Sequence, residues 1–306
     1  MSELPLPKKV RIGLNGREVA PIAWGMWRFA GRSRAEGAAL VHAALDAGIE
    51  LFDTADIYGF DGSGPDGWGG FGDAEALLGE VFAAEPALRG RMVLASKGGI
   101  RPPLPYDQSA AYLAEAIDAS LSRLKVERID LWQIHRPDIL AHPQEVAGAL
   151  DKARAAGKIG EVGVSNFTQI QIGALASFID RPLATTQPEI SPLRVDCFEN
   201  GELDQAMVLG LVPLAWSPLG GGRLGDPQDE RAKAVAESLD TVAQDRGVSR
   251  SVAAYSWLMA HPAGIVPIVG SQQPERIAEA AQALTVRWAR QEWYAVLVAA
   301  RGENLP

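Results

Sequence analysis

The sequence predicts an α/β fold, a (β/α)8 TIM barrel with an N-terminal β-hairpin capping its bottom. Three observations lead there. A short apolar run, a polar or glycine stop and a helical stretch recur eight times along 306 residues. Strands alternating with helices imply parallel pairing through βαβ units. Eight such units in about this length suit a closed barrel, whose typical size is roughly 250 residues. An open doubly wound sheet usually has fewer units and one phosphate loop near its start. Here the polar stops are spread over all eight strand ends. No linker, low-complexity tract or charge block splits the chain, so residues 1–306 are expected to form one barrel domain.

The elements follow in order. Residues 10–20, "VRIGLNGREVA", alternate apolar and polar around Asn15-Gly16, a hairpin signal. The eight strand candidates are "VAPIAWG" (19–25), "GIELFD" (48–53), "RMVLASK" (91–97), "IDLWQIH" (129–135), "IGEVGVSN" (159–166), "LATTQ" (183–187), "LVPLAWS" (211–217) and "GIVPIVGS" (264–271). Between them lie helical patterns. "SRAEGAALVHAALDAG" opens on Ser33, a good N-cap, and carries Ala39, Leu40, Val41 and Ala44. "SAAYLAEAIDASLSRL" spaces Leu113, Ile117, Leu121 and Leu124 by four, four and three. "PQEVAGALDKARAAGK" has Pro143 in its first turn and ends at Gly157. Gly210 stops another helix, "SVAAYSWLMAHP" stops at Pro262, and "PERIAEAAQAL" begins with Pro274.

Composition narrows the function. The chain is 47% hydrophobic and 22% charged, as for a globular protein with a large core. A net charge of −9 argues against broad nucleic-acid or anionic-membrane binding and leaves room only for a local basic pocket. Cys197 is the single cysteine, so no internal disulfide or CxxC metal site exists. The four histidines (42, 135, 142 and 261) show no metal-ligand spacing, and no metal is expected. "MSELPLPKKV" lacks the apolar core of a secretory signal, and no run is long enough to span a bilayer, so a cytoplasmic location is expected.

The apolar strand "LFD" runs straight into "TADIYG", where Asp53, Asp56 and Tyr58 fall within six residues. A surface turn is one explanation; delivery of these groups to a reaction is the other. In a barrel the carboxyl ends of all strands face one mouth. Gly25, Asp53, Lys97, His135, Ser165 with Asn166, Gln187, Trp216 with Ser217, and Gly270 with Ser271 would converge there. Taken singly, Asp53 is a turn cap, Lys97 a solvated loop lysine, His135 a core histidine and Tyr58 an amphipathic anchor. The odds shift because acid, lysine and histidine occupy successive strand ends, with a phenol five residues beyond the first. A phenol is a weak acid, and a nearby ammonium lowers its pKa. A carboxylate holds that ammonium in place. An imidazole donates a hydrogen bond to an oxygen that becomes negative. The set suits protonation of the alkoxide formed when hydride reaches a carbonyl carbon. None of the four supplies hydride, so a nicotinamide cofactor is implied.

Cofactor clues lie in the second half. Ser165, Asn166 and Gln187 present groups for an amide, and Trp216 offers a flat face for a ring. Gly220, Gly221 and Gly222 let backbone approach a pyrophosphate, with Arg223 adding charge. "GSQQPERIAEA" places Ser271 and Arg276 where a helix opens, a setting for anions, although a capped amphipathic helix alone explains that stretch. Gly62, Gly64 and Gly67 spell GxGxxG, yet they neither leave a strand nor open a helix, and Pro65 and Asp66 interrupt them. Residues 60–72 read instead as a loop over the mouth, where Trp68 and Phe71 touch substrate or pin the loop.

With these residues in hand, the chain resembles the aldo-keto reductases over nearly its full length. The stretches "FDTADIYG", "VLASKGG", "LWQIHRPD", "GKIGEVGVSNF", "TTQPEISPL", "LAWSPLGGGRL" and "VPIVGSQQPERIAEA" carry the resemblance. It implies a barrel that binds NADPH without a Rossmann domain and reversibly reduces an aldehyde or ketone to an alcohol. It places the catalytic tetrad on Asp53, Tyr58, Lys97 and His135, with Tyr58 as general acid. Ser165, Asn166 and Gln187 would hold the nicotinamide amide and Trp216 would stack on its ring. Ser217, Leu219, Gly220, Gly222 and Arg223 would meet the pyrophosphate, and Gly270, Ser271, Gln273, Arg276 and Glu279 the adenosine phosphate. Gly25, Met26 and Trp27 would border the cofactor, and Trp27, Tyr58, His135 and Trp68 the substrate.

Many members carry a lysine where Gly270 stands, so the 2′-phosphate would lean on Arg276 and Ser271. The short segment after "RQEWYAVLVAA" suggests an open pocket shaped by loop 60–72 and Trp27. The other function considered is a cofactor-sensing regulatory subunit of the same fold with little turnover. The partner expected is a small carbonyl or alcohol substrate.

Overall fold

The structure, a computed structural model, describes residues 3–63 and 67–305. Two short antiparallel strands come first, β1 (Val10–Arg11) and β2 (Glu18–Val19), with Val10 opposite Val19. The loop between them is longer than a two-residue turn. Gly13, not Asn15 or Gly16, takes the positive φ of 74°. Gly16 is needed for close approach: a Cβ there would lie 1.6 Å from the Ile12 carbonyl oxygen.

Eight parallel strands then close a barrel: β3 (Ala23–Gly25), β4 (Leu51–Asp53), β5 (Val93–Gly98), β6 (Ile129–Ile134), β7 (Ile159–Ser165), β8 (Thr185–Gln187), β9 (Val212–Ala215) and β10 (Val266–Val269). Each pairs with its sequence neighbour, and β10 pairs with β3 to close the ring. Seven lie within the apolar runs expected from sequence, and β5 runs one residue past its run, to Gly98.

The strand-to-strand crossovers carry α1 (Arg34–Asp46), α2 (Asp73–Ala84), α3 (Ala110–Leu124), α4 (Pro143–Ala155), α5 (Gln169–Ala176), α6 (Glu202–Leu209), α7 (Glu230–Arg246) and α8 (Arg250–Met259). Then come α9 (Pro274–Ala280) and α10 (Arg290–Arg301) after β10. Local chemistry starts these helices. Ser33 and Glu36 form a reciprocal capping box on α1, and Ser109 accepts the Tyr112 amide on α3. Left-handed glycines Gly210 and Gly247 end α6 and α7. The connection from β9 to β10 holds two helices where the repeat calls for one. The additional α7 is clamped to α10 by Arg246, whose Nη2 donates to both Glu292 carboxylate oxygens at 2.8 and 2.9 Å.

Strand alternation divides the core in two. Phe52, Leu94, Trp132 and Val162 pack outward among the helices. Leu51, Val93, Leu131, Leu214 and Val266 form a separate cluster inside the barrel with Ile12 and Val19 of the hairpin. The hairpin therefore plugs the pole where the strands begin. Its loop is tied there by the Asn15 amide on Glu161 Oε1 (3.2 Å) and by Arg17 on the carbonyls of Gly90 (2.9 Å) and Met92 (3.2 Å).

Candidate active site

On β4 and β6 the inner face changes chemistry within one residue pair. On β4, buried Leu51 precedes buried Asp53; on β6, Leu131 precedes Gln133. At this pole Lys97, 0% exposed, donates from Nζ to Asp53 Oδ2 at 2.6 Å and to the Thr54 carbonyl at 2.9 Å. Asp53 Oδ1 accepts from Gln133 Nε2 (3.2 Å) and Gln187 Nε2 (3.0 Å). Thr185 Oγ1 completes the layer by donating to Gln133 Oε1 at 3.1 Å. A charged pair so deeply buried persists only with such additional bonds.

Tyr58 lies in the turn after β4, half-buried, and its ring centre is 4.9 Å from Lys97 Nζ. His135 follows β6, its ring edge-on to Tyr58 at 5.9 Å between centroids. Asp53, Tyr58, Lys97 and His135 are thus side by side. Burial depresses Lys97, but the Asp53 carboxylate and Tyr58 outweigh it and hold the ammonium above the ordinary lysine range. Burial pushes the Tyr58 phenol above its ordinary range, outweighing the pull of Lys97 in the other direction. This corrects the expectation that the ammonium leaves the phenol more acidic. Burial, with the Lys97 and Arg136 charges adding to it, holds His135 well below the ordinary imidazole range, so the ring is neutral at neutral pH.

The second-half residues form one connected rim. Ser165 Oγ donates to the Gln187 carbonyl (2.9 Å), Asn166 Nδ2 donates to Ser165 Oγ (2.8 Å), and Trp216 Nε1 donates to Asn166 Oδ1 (3.0 Å). Asn166 takes a left-handed φ of 60° to reach both neighbours, and Ser217 one of 49°. Leu219 opens the turn through Gly220, Gly221 and Gly222, all at positive φ. Cβ atoms on Gly221 and Gly222 would meet nothing within 4 Å, so the backbone there is open to a ligand. Arg223 turns back, Nε donating to the Gly220 carbonyl at 3.0 Å.

Around β10, Trp24 Nε1 donates to the Ser271 carbonyl (2.9 Å) and Ser271 Oγ accepts from the Gln273 amide (3.2 Å). Arg276 and Glu279 lie on α9, near enough that both charges act on Tyr255. Gly270 is open, and Gly25 is required by packing, since a Cβ there would lie 2.7 Å from Ile268 Cγ2. Met26 is fully buried in the outer core, so only its main chain can meet a ligand. Trp27 is 68% exposed. In loop 60–72, Gly64, Pro65 and Asp66 lie outside the described residues. Trp68 packs on Phe71 (5.0 Å between ring centroids) and Phe71 on Phe60 (6.3 Å).

Several residues escaped the sequence reading. Gln133 holds Asp53 and Thr185 in turn holds Gln133, and the alternation Leu131, Gln133, His135 was the available signal for Gln133. Gln272 ties the mouth by donating to the Gly25 carbonyl at 3.0 Å. Asp56 does not join the mouth. It is 1% exposed on the helix side, near Trp132, and neither carboxylate oxygen has a hydrogen-bond partner among the described residues. Burial, reinforced by Glu75, pushes its carboxyl well above the ordinary range. Among the described residues no cluster of metal-binding side chains occurs and no helix is long and apolar enough to cross a membrane.

The groups present suit a nicotinamide dinucleotide: a flat indole with a polar rim, a side-chain-free glycine turn, and an arginine beyond it. Comparisons with known proteins agree with that geometry. The family model described as aldo/keto reductase family matches residues 21–297. A protein of Novosphingobium aromaticivorans named 6-dehydroglucose reductase is 73% identical, covering 100% of both chains. Another of that name, from Agrobacterium fabrum, is 37% identical over 96% of this chain and 99% of its own. A crystal structure of an aldo/keto reductase from Klebsiella pneumoniae in complex with NADP and acetate superposes with a TM-score of 0.79 at 26% identity, covering 95% of this chain and 94% of its own. The chain belongs to the aldo/keto reductase family of oxidoreductases.

Proposed function

We propose that the protein is an NADP(H)-dependent reductase that interconverts an aldehyde or ketone with its alcohol, and that its substrate is a polyhydroxy aldehyde such as 6-dehydroglucose. The observation that carries the reading is the buried Lys97–Asp53 pair, 2.6 Å apart, beside a half-buried phenol and a neutral imidazole. The substrate class rests on the 73% identical relative and its printed name.

When bound, the nicotinamide cofactor supplies hydride to the carbonyl carbon. The chain does the rest. His135 donates a hydrogen bond to the carbonyl oxygen and stabilises the charge that gathers there. Tyr58 delivers its proton to that oxygen. Lys97 stabilises the phenolate left behind, and Asp53 keeps Lys97 charged and in place. The raised phenol keeps Tyr58 protonated across the neutral range, as a proton donor must be. Reduction accordingly falls, and alcohol oxidation gains, as pH rises toward the phenol's own range. Ser165, Asn166 and Gln187 surround the amide position, Trp216 supplies the stacking face, and Ser217, Leu219, Gly220, Gly222 and Arg223 the pyrophosphate turn. Gly270, Ser271, Gln273, Arg276 and Glu279 face the adenosine phosphate. Gly25, the Met26 main chain and Trp27 border the ring, while Trp27 and Trp68 flank the substrate.

The test is turnover followed by NADPH absorbance against 6-dehydroglucose and a panel of aldehydes and ketones. Absence of any carbonyl-dependent NADPH oxidation would end the reading. Arg276→Ala should weaken NADPH more than NADH, because only the former carries the 2′-phosphate; equal losses would remove Arg276 from that site.

A further inference from the structure

Arg136 follows His135 directly, and the backbone on both sides of it is pinned. The His135 amide donates to the Gly98 carbonyl at 2.9 Å, and the His135 carbonyl accepts from Asn166 Nδ2 at 3.3 Å. The Arg136 carbonyl accepts from buried Gln108 Nε2 at 2.5 Å. The guanidinium is not pinned. It lies 5.9 Å from the centre of the Trp216 ring, a cation–π distance, and among the described residues no ion pair includes it.

The nearest acid in sequence is already used. Asp138 accepts the amides of Gln108 (3.2 Å) and Leu140 (2.9 Å) through its two oxygens. The positive charge also registers at both members of the proton-transfer pair, Tyr58 and His135. A fork of N–H donors thus stands beside the carbonyl-binding corner, unpaired and partly desolvated. Such a group favours a ligand with adjacent acceptors.

We propose that Arg136 is the specificity-determining residue of this site, its guanidinium donating to vicinal hydroxyls on the carbons beyond the substrate's aldehyde. This rests on the reductase reading and deepens it. Hydroxyls rather than an anion are the intended acceptors. The 73% identical relative's named substrate carries no charge.

The experiment compares wild type, Arg136→Leu and Arg136→Lys with NADPH and three aldehydes: 6-dehydroglucose, butanal, which lacks hydroxyls, and glyceraldehyde 3-phosphate, which carries an anion. A lost charge-assisted hydrogen bond predicts that kcat/KM for 6-dehydroglucose in Arg136→Leu falls about ten- to a hundredfold further than that for butanal. The loss should sit in KM, and Arg136→Lys should recover part of it. Equal losses on 6-dehydroglucose and butanal, or none, would overturn the proposal while leaving the reductase reading intact. A loss confined to glyceraldehyde 3-phosphate would overturn it in favour of an anion site. Failure of the wild type to reduce any of the three would sink the reductase reading, and this proposal with it.

Discussion

The two poles of one barrel, built from the same strands, do opposite things. Where the strands begin, Leu51, Val93 and Leu131 meet the hairpin's Ile12 and Val19 in a closed apolar plug. Two to four residues further along, the same inner faces carry Asp53, Lys97 and Gln133 in a hydrogen-bonded polar layer. Both poles are buried, so burial alone does not mark function. The apolar pole gains stability from dehydration, on the order of 1.5–3 kcal/mol per large side chain. The polar pole accepts the cost of a buried ion pair and obtains a charged lysine next to a phenol. Two histidines are shielded from protonation by burial: His135 beside Tyr58 at the polar pole, and His261 among the outer helices, packed on Phe198 at 5.0 Å between ring centroids. The contrast teaches that neighbours, not residue type or depth, make one imidazole a candidate catalyst and the other part of the packing.

The largest effect should come at the polar pole. Tyr58→Phe removes only the proton donor, and carbonyl reduction should fall by about 10²–10⁴ or more with NADPH affinity retained, measured by turnover and by cofactor fluorescence titration. Near-normal turnover would erase the functional contrast between the poles. Asp53→Ala leaves Lys97 charged and unpaired in the interior. It should cost about 3–5 kcal/mol in denaturant unfolding as well as activity. Leu131→Ala, one pair away on β6, should cost about 2–5 kcal/mol of stability by opening a cavity, with turnover per folded molecule largely kept. If its turnover collapsed as in Tyr58→Phe, the division into a structural and a chemical pole would be wrong.

The smallest effect concerns pH. Burial lowers His261 from 6.5 to about 4. Between those values the unfolded chain binds a proton that the folded chain refuses, so folding stability falls as pH drops from about 6.5 toward 4. His261→Gln should flatten that part of the pH–stability curve without moving the pH–rate profile; an unchanged curve would show that this ring is not held neutral.

Much of this organisation was legible in the residues. The eight apolar runs, the Ser33 cap and the Gly210 stop depend on neighbours a few positions away, and the structure places strands and helices there. The juxtaposition of Asp53, Tyr58, Lys97 and His135 followed from strand ends once the barrel was assumed. Gln133 was harder, because a glutamine on a buried strand has no local meaning until Asp53, 80 residues away, accepts from it. Asp56 was read alongside Asp53 and Tyr58, yet it faces the helices. The α7 insertion broke no pattern in sequence, since its caps resemble those of any other helix.

By itself, then, the amino-acid order decided periodicity, capping and which chemical groups stand where strands stop, since these are short-range properties of the chain. Only three-dimensional closure decided that burial outweighs Lys97 at the Tyr58 phenol, that His135 is neutral and that no ion pair among the described residues includes Arg136. Desolvation and charge–charge interactions depend on distance through space, and barrel closure sets those distances between residues far apart along the chain.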